Sequence, residues 1–354
     1  MAALQTQVFR LGLDVLDRSG LGRTLSPLTA GRGAILMLHR VQPATQTAFA
    51  PNARLSITPE YLAALVESLS RVGIDIVSLD EALCRVAAPR RERRFVSFTF
   101  DDGYRDNLMH ALPIFQRAAA PFTVYATSGF VARTAAPWWS VLERVITRAQ
   151  RVCWRGAGPA GADTWLDCAD LAAKQRSYAA LARACLELRA DALQTQLAGF
   201  AADHDLSLPD FMAQELCSAA ELRALRAGGA TIGCHTHSHA RLSLEPPASL
   251  WRELDISRRW LEGQLGCTVD HLAFPYGRRE HVGPRELAIA RDLRFRTATT
   301  TRQGALFAAH AQHPHAWPRI EVTPSFAASP RYLHTILTGA PLWLRNRGRL
   351  AITD

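Results

Sequence analysis

The chain has 354 residues, 48% hydrophobic and 21% charged, which excludes wholesale disorder and suffices for one large domain or two modest ones. Its seven cysteines are odd in number, dispersed and without a Cys-x-x-Cys spacing, which excludes a disulfide scaffold and points to a reducing compartment. The net charge of +9, from 41 basic and 32 acidic residues, comes without a nucleic-acid motif, so an anionic lipid surface rather than nucleic acid is the expected partner.

Val8, Phe9, Leu11, Leu13, Val15 and Leu16 predict an apolar-rich helix, interrupted by Arg10 and Asp14 and ended by Gly20 and Gly22. It either docks on the domain or lies on a membrane. The opening residues lack a basic region followed by an apolar core, and no apolar run approaches the roughly 18 residues of a membrane span. A cytoplasmic protein, in peripheral contact with the membrane face through its ends, is therefore expected. Residues 34–38 predict a buried strand ending in His39-Arg40-Val41, and a polar residue at the end of such a strand is placed to line a site. Thr58 and Pro59 open a helix that runs to Gly73. A strand over 75–79 follows, with Asp80 capping the next helix. Residues 95–100 read as a strand rich in aromatic residues that stops at Asp101-Asp102-Gly103. A helix to Ala120 and a strand over 121–126 continue the alternation.

From about 135 to 220 that rhythm breaks. Residues 138–143 and 171–200 predict helices, without a metal-ligand pattern, and Trp138 and Trp139 either pack between helices or stack on a sugar. The rhythm resumes with a helix over 218–226 and a strand over 230–234. Cys234 in that strand is expected to be a packed thiol. A stripe at Leu250, Leu254, Leu261 and Leu265 makes a helix. The strand over 269–274 runs into Pro275-Tyr276-Gly277. A helix over 284–293, a strand over 295–300 and a closing strand at 320–322 complete about seven strands, which fit a barrel or a doubly wound sheet. Residues 332–337 and 342–344 predict helices, followed by Arg345, Arg347 and Arg349. The expected division is a helical extension (1–32), a main domain (33–325, with a helical insertion at about 135–220) and a basic helical tail (326–354).

Two stretches carry chemistry. Asp101 and Asp102 are costly to bury as a like-charged pair, and a divalent cation relieves that cost, one carboxylate ligating while the other remains a base. The plain alternative is a turn that caps the following helix. His235 and His239, four apart, face one side if they lie on one helical turn, with His237 directed elsewhere. Together the stretches offer two imidazoles and a carboxylate with a position left for water, the pattern of a catalytic zinc site.

Thr99-Phe-Asp-Asp-Gly103, His235-Thr-x-x-His239 and Ala273-Phe-Pro275-Tyr276-Gly277 resemble, in order, the first three motifs of the polysaccharide deacetylases (carbohydrate esterase family 4), over about residues 33–322. The resemblance implies an irregular (β/α)7 barrel. It implies that Asp102, His235 and His239 hold a divalent metal, Zn2+ before Co2+, Ni2+ or Mn2+. Asp101 would deprotonate the attacking water, the backbone N–H of Tyr276 would stabilise the oxyanion, and Pro275 would fix Tyr276. His39 is expected to line the site. The chain departs from the family at Ala273, where the motif has an arginine; Arg319 is the candidate substitute. The fourth motif is not visible, and the general acid is unassigned: Leu333-His334 lies in a helix, and His313 and His315 precede the last strand. The implied function is metal-dependent removal of an N-acetyl group from an amino sugar in a glycan or lipid-linked precursor. A noncatalytic glycan-binding relative and a hydrolase of another sugar amide, such as a formamide, are the alternatives. The sugar, the metal and the oligomeric state stay open.

Overall fold

The computed structural model describes residues 2–44, 47–90, 92–156, 162–325 and 329–353, the side chains of 2–6, Val8 and Phe9 lying outside the description. Seven parallel strands close into a barrel: β1 (Gly33–Leu38), β2 (Phe95–Phe100), β3 (Phe122–Ala126), β4 (Ala230–Cys234), β5 (His271–Ala273), β6 (Thr297–Gln303) and β7 (Trp317–Glu321). The ladder runs β1-β7-β6-β5-β4-β3-β2 and returns to β1. Leu36 pairs with both Ile320 and Phe98. The barrel is irregular where β4 and β5 share the single pair Cys234–Leu272, and where register shifts between Thr299 and Gln303. Strands covered on both faces read as continuous apolar runs, and every residue of β1, β2 and β3 is buried. On the outer face of β2, Phe98 and Phe100 meet Phe115 edge-on, and Phe115 stacks on Phe122 at 4.5 Å.

Several boundaries differ from expectation. The strand at 75–79 is only Asp75–Ile76, and Ser78, not Asp80, caps the following helix by accepting from the Glu81 backbone N–H at 3.1 Å. Asp80 instead pairs with Arg296. The strand expected at 269–274 shrinks to the three residues of β5, although the Phe274 N–H still donates to the Thr299 carbonyl at 3.0 Å. The insertion is not wholly helical: Arg151–Trp154 and Thr164–Asp167 form an antiparallel hairpin. The helical stretch expected over 171–200 consists of Leu171–Glu187 and Ala190–Ala202, separated where Leu188 and Arg189 turn extended. The insertion carries its own apolar core, from Trp138 through Leu181 and Phe200 to Leu216.

Helices Ala2–Arg18 and Leu21–Thr29 pack with Pro330–Leu337 and Ala340–Arg345 into one layer beside the barrel. Thr29 Oγ1 donates to Thr338 O at 2.7 Å, and Arg331 pairs with Asp14 at 2.6 Å. Gly339 sits at φ 80° against the Thr29 carbonyl, where no Cβ fits. No described helix is long and apolar enough to cross a membrane.

Candidate active site

The site forms where β1, β2, β4 and β5 end. β2 runs into Asp101 and Asp102, β4 into His235, β5 towards Pro275 and Tyr276, and β1 into His39. The first site stretch also holds the first strand's end. Asp106 accepts from the Val41 backbone N–H at 3.0 Å and from Arg40 Nε at 2.9 Å, and Asn107 Nδ2 donates to the His39 carbonyl at 2.9 Å.

Asp102, His235 and His239 offer ligand atoms within 4.8 Å of one another. Asp102 Oδ1 lies 3.5 Å from His235 Nε2 and 3.4 Å from His239 Nε2. That oxygen is buried and makes no hydrogen bond among the described residues. His235 Nδ1 donates to the Ala273 carbonyl at 2.7 Å, which leaves the Nε2 lone pair facing Asp102. Two imidazole lone pairs and an orphaned carboxylate oxygen fit a divalent cation. Burial pushes His239 down to about 3, leaving it a neutral imidazole, the form able to ligate.

The two histidines do not share a helical turn, as the spacing suggested. Residues 235–239 form a loop in which Thr236 and His239 take left-handed φ values of 63° and 57°. Glu253 holds this loop by accepting from the backbone N–H groups of His237 and Ser238 at 3.0 and 2.9 Å. His237 turns away and bonds Ser128 Oγ at 2.9 Å, and the Gly129 N–H donates to the His237 carbonyl at 2.7 Å. Asp102 (φ 75°) and Tyr276 (φ 59°) are left-handed too, so strained backbone concentrates at this site.

Asp101 is held by a buried fork. Arg319 NH1 and NH2 donate to its two oxygens at 2.7 and 2.8 Å, while Arg319 Nε donates to the Thr300 carbonyl at 2.9 Å. Burial alone would raise the Asp101 carboxyl; Arg319, helped by His235, holds it well below the usual carboxylate range. The arginine that pairs with Asp101 thus comes from β7, while Ala273 serves the site through its carbonyl, which accepts from His235.

These groups floor a cavity of about 780 Å³. His39, Tyr276 and Thr301 line it from the barrel. Trp138, Trp139, Tyr178 and Leu186 line it from the insertion, and Arg345, Asn346 and Ile352 from the C-terminal segment. Pro275 is buried, and its carbonyl accepts from the Gly277 N–H at 2.7 Å. The Tyr276 N–H has no hydrogen-bond partner among the described residues. Trp138 Nε1 donates to the Tyr276 hydroxyl at 2.9 Å, and Trp139 Nε1 to the Tyr104 hydroxyl at 2.8 Å. The Trp139 ring meets the His239 ring at 4.7 Å. Both tryptophans therefore pack, and in packing they wall the site.

His334, His313 and His315 lie away from the cavity. His334 bonds Ser68 Oγ at 2.9 Å beneath the helical layer, and His315 bonds the Phe295 carbonyl at 2.7 Å. His39 and His281 line the cavity; Arg241 Nε donates to His281 Nδ1 at 3.1 Å. Sequence reasoning missed Glu253, Ser128 and Gly129. They approach the histidine loop from 15 to 109 positions away, and no local pattern announces them.

A family model described as polysaccharide deacetylase matches residues 88–157 and 191–298, together half of the chain. Among solved structures, the fold resembles the deacetylase PplD of Streptococcus pyogenes, in complex with acetate (TM-score 0.56, 18% identity, 86% of this chain and 97% of that one). It resembles IcaB of Ammonifex degensii (TM-score 0.55, 17% identity, 87% and 97%) and the BpsB deacetylase domain of Bordetella bronchiseptica (TM-score 0.50, 14% identity, 82% and 95%). At these identities the likeness is one of fold. No curated protein sequence matches the chain.

Proposed function

Because the chain belongs to the polysaccharide deacetylase family, we propose that it hydrolyses the N-acetyl amide of an amino sugar in a glycan or a lipid-linked glycan precursor. One observation carries this reading: the orphaned Asp102 oxygen, facing two imidazole nitrogens, lies beside a second carboxylate at the floor of an open cavity. Asp102, His235 and His239 hold a divalent metal, Zn2+ in the first instance from their one-oxygen, two-nitrogen set. When bound, the metal polarises the acyl carbonyl and acidifies water. Asp101, kept ionised by Arg319, takes the proton of the attacking water. The Tyr276 backbone N–H donates to the carbonyl oxygen as it gains charge. Trp138 fixes Tyr276 through its hydroxyl.

The leaving nitrogen needs a proton, and His39 gives it. It lines the cavity whose floor holds Asp101, Asp102 and His239, whereas His281 is engaged with Arg241. A cytoplasmic location agrees with seven cysteines that are all free, five of them buried.

The test is acetate release from N-acetylglucosamine oligomers and lipid-linked N-acetyl sugars, with zinc or cobalt supplied. Wild type should release acetate and Asp101→Asn should not; equal release by both would remove Asp101 as the base. His39→Ala should lose about 10²–10⁴-fold on the amide. It should lose far less on an aryl acetate, whose departing oxygen needs no proton. Equal losses on both substrates would remove His39 from the role. Absence of release by any form, with metal bound, would reject the deacetylase reading.

A further inference from the structure

The helical layer beside the barrel presents a surface that the catalytic reading does not use. On Ala2–Arg18, Leu13 is buried, while Leu11 (64% exposed) and Val15 (57%) stand a turn apart on the other side. Arg18 continues that stripe. On Leu21–Thr29, Leu21 and Leu28 (71%) are exposed seven residues apart, hence on one face, and Arg23 is exposed between them. On Ala340–Arg345, Leu344 (58%) is exposed beside Arg345. Large apolar side chains exposed in such density mark an interaction surface.

Charge selects the partner. Residues 1–32 and 329–354 hold eight arginines against three aspartates, more than half of the chain's net +9. Asp14 and Asp17 are both engaged by Arg331, at 2.6 and 3.6 Å. Arg18, Arg23, Arg345 and Arg347 are exposed and have no carboxylate partner among the described residues. Leucines interleaved with uncompensated arginines complement an anionic lipid surface, the leucines entering the headgroup boundary and the arginines meeting phosphates. Position adds a consequence: Arg345 and Asn346, from the same layer, belong to the cavity wall.

We propose that this four-helix layer docks the protein on an anionic membrane, with the catalytic cavity opening beside the lipid headgroups, so that the acylated sugar is taken from a membrane-anchored carrier. The docking stands on the surface alone; the delivery rests on the deacetylase reading.

Sedimentation of the whole protein with phosphatidylcholine vesicles, with and without phosphatidylglycerol, tests the docking. Binding should require phosphatidylglycerol and be released by salt. Arg18→Gln and Arg23→Gln should each weaken it roughly fivefold, and Leu11→Glu and, separately, Leu28→Glu should weaken it further, with unchanged circular dichroism. Failure to bind anionic vesicles at low salt overturns the docking. So does undiminished binding by both folded leucine variants. A wild type that ignores vesicles but dimerises, and becomes monomeric in those variants, assigns the face to a second copy and also overturns it. For delivery, the leucine variants should release acetate normally from a soluble oligomer and several-fold more slowly from a vesicle-borne glycolipid; equal rates on both overturn that part. Vesicle binding by a wild type that deacetylates neither substrate supports the docking while rejecting the deacetylase reading, and delivery falls with it.

Discussion

At the scale of single residues, the site is a problem of burying charge. Asp101 and Asp102 are adjacent and both buried, yet they are stabilised by different means. Asp101 has the Arg319 fork; Asp102 has two imidazoles and an uncommitted oxygen. The fork sets a testable pH dependence. Burial opposes the Asp101 carboxylate, and Arg319 reverses that, so its pKa lies low and the group stays ionised on acidification. In Arg319→Met the opposition from burial remains and the compensation is gone, so the pKa rises. The acid limb of kcat/KM should therefore move to higher pH. The variant should also lose about 3–5 kcal/mol of stability above the ordinary aspartate range, because a buried charge is left unpaired. An acid limb that stays where it was would show that Asp101 does not govern it.

Secondary-structure elements matter here for what they hold. The histidine loop is bent into left-handed conformations by neighbours rather than by its own sequence. Helix Ser128–Val131 closes under it, and helix Pro247–Leu265 supplies Glu253 from the side. A Cβ added at Gly129 would meet the His237 carbonyl at 2.5 Å, a backbone atom that cannot yield without moving the loop. Gly129→Ala should thus weaken metal binding by about 10–100-fold, the range for disturbing groups that orient ligands. Competition with a chelator measures this, and unchanged affinity would mean that the loop tolerates the shift. The insertion acts on the opposite wall: Trp138 and Trp139 reach Tyr276 and Tyr104 from one helix turn, tying an element with its own core to two site segments.

At the scale of the molecule, acid sensitivity is distributed. His204, His281, His310, His315 and His334 are all held below the ordinary histidine value of 6.5 by burial. His310 shows why. Its Nε2 donates to the Ile352 carbonyl at 3.0 Å and its Nδ1 accepts from the Phe307 N–H at 2.9 Å, yet burial of the ring outweighs what its neighbours would give the charged form. The folded state prefers these rings neutral, whereas the unfolded chain takes up protons near pH 6.5. Their contribution is present above that value and is lost as pH falls below it. The melting temperature should drop between about pH 8 and about pH 5.5, and His310→Gln should flatten the drop. A melting temperature indifferent to pH over that range would contradict the assignment.

The sequence by itself determined the alternation of strands and helices, the Thr58 cap, and the three motifs whose order pointed to Asp102, His235 and His239 as candidate metal ligands. These depend on neighbours in the chain, since strand propensity, capping and Asp-Gly turns act within a few residues. Closure of seven strands into a barrel was not legible in the periodicity, which a doubly wound sheet shares, but it was implied by the three motifs together, and the structure closes as they implied. The short strands at Asp75–Ile76 and His271–Ala273, the hairpin inside the insertion and the break at Leu188 follow from packing against distant segments. Arg319 and His39 were candidates in the sequence, but only the tertiary structure supplies the fork between Arg319 and Asp101, 218 positions away, and the hold that Glu253, Ser128 and Gly129 have on the histidine loop. Spacing along a chain constrains groups that share a turn or a strand; charge compensation across a barrel is decided by which strand ends converge.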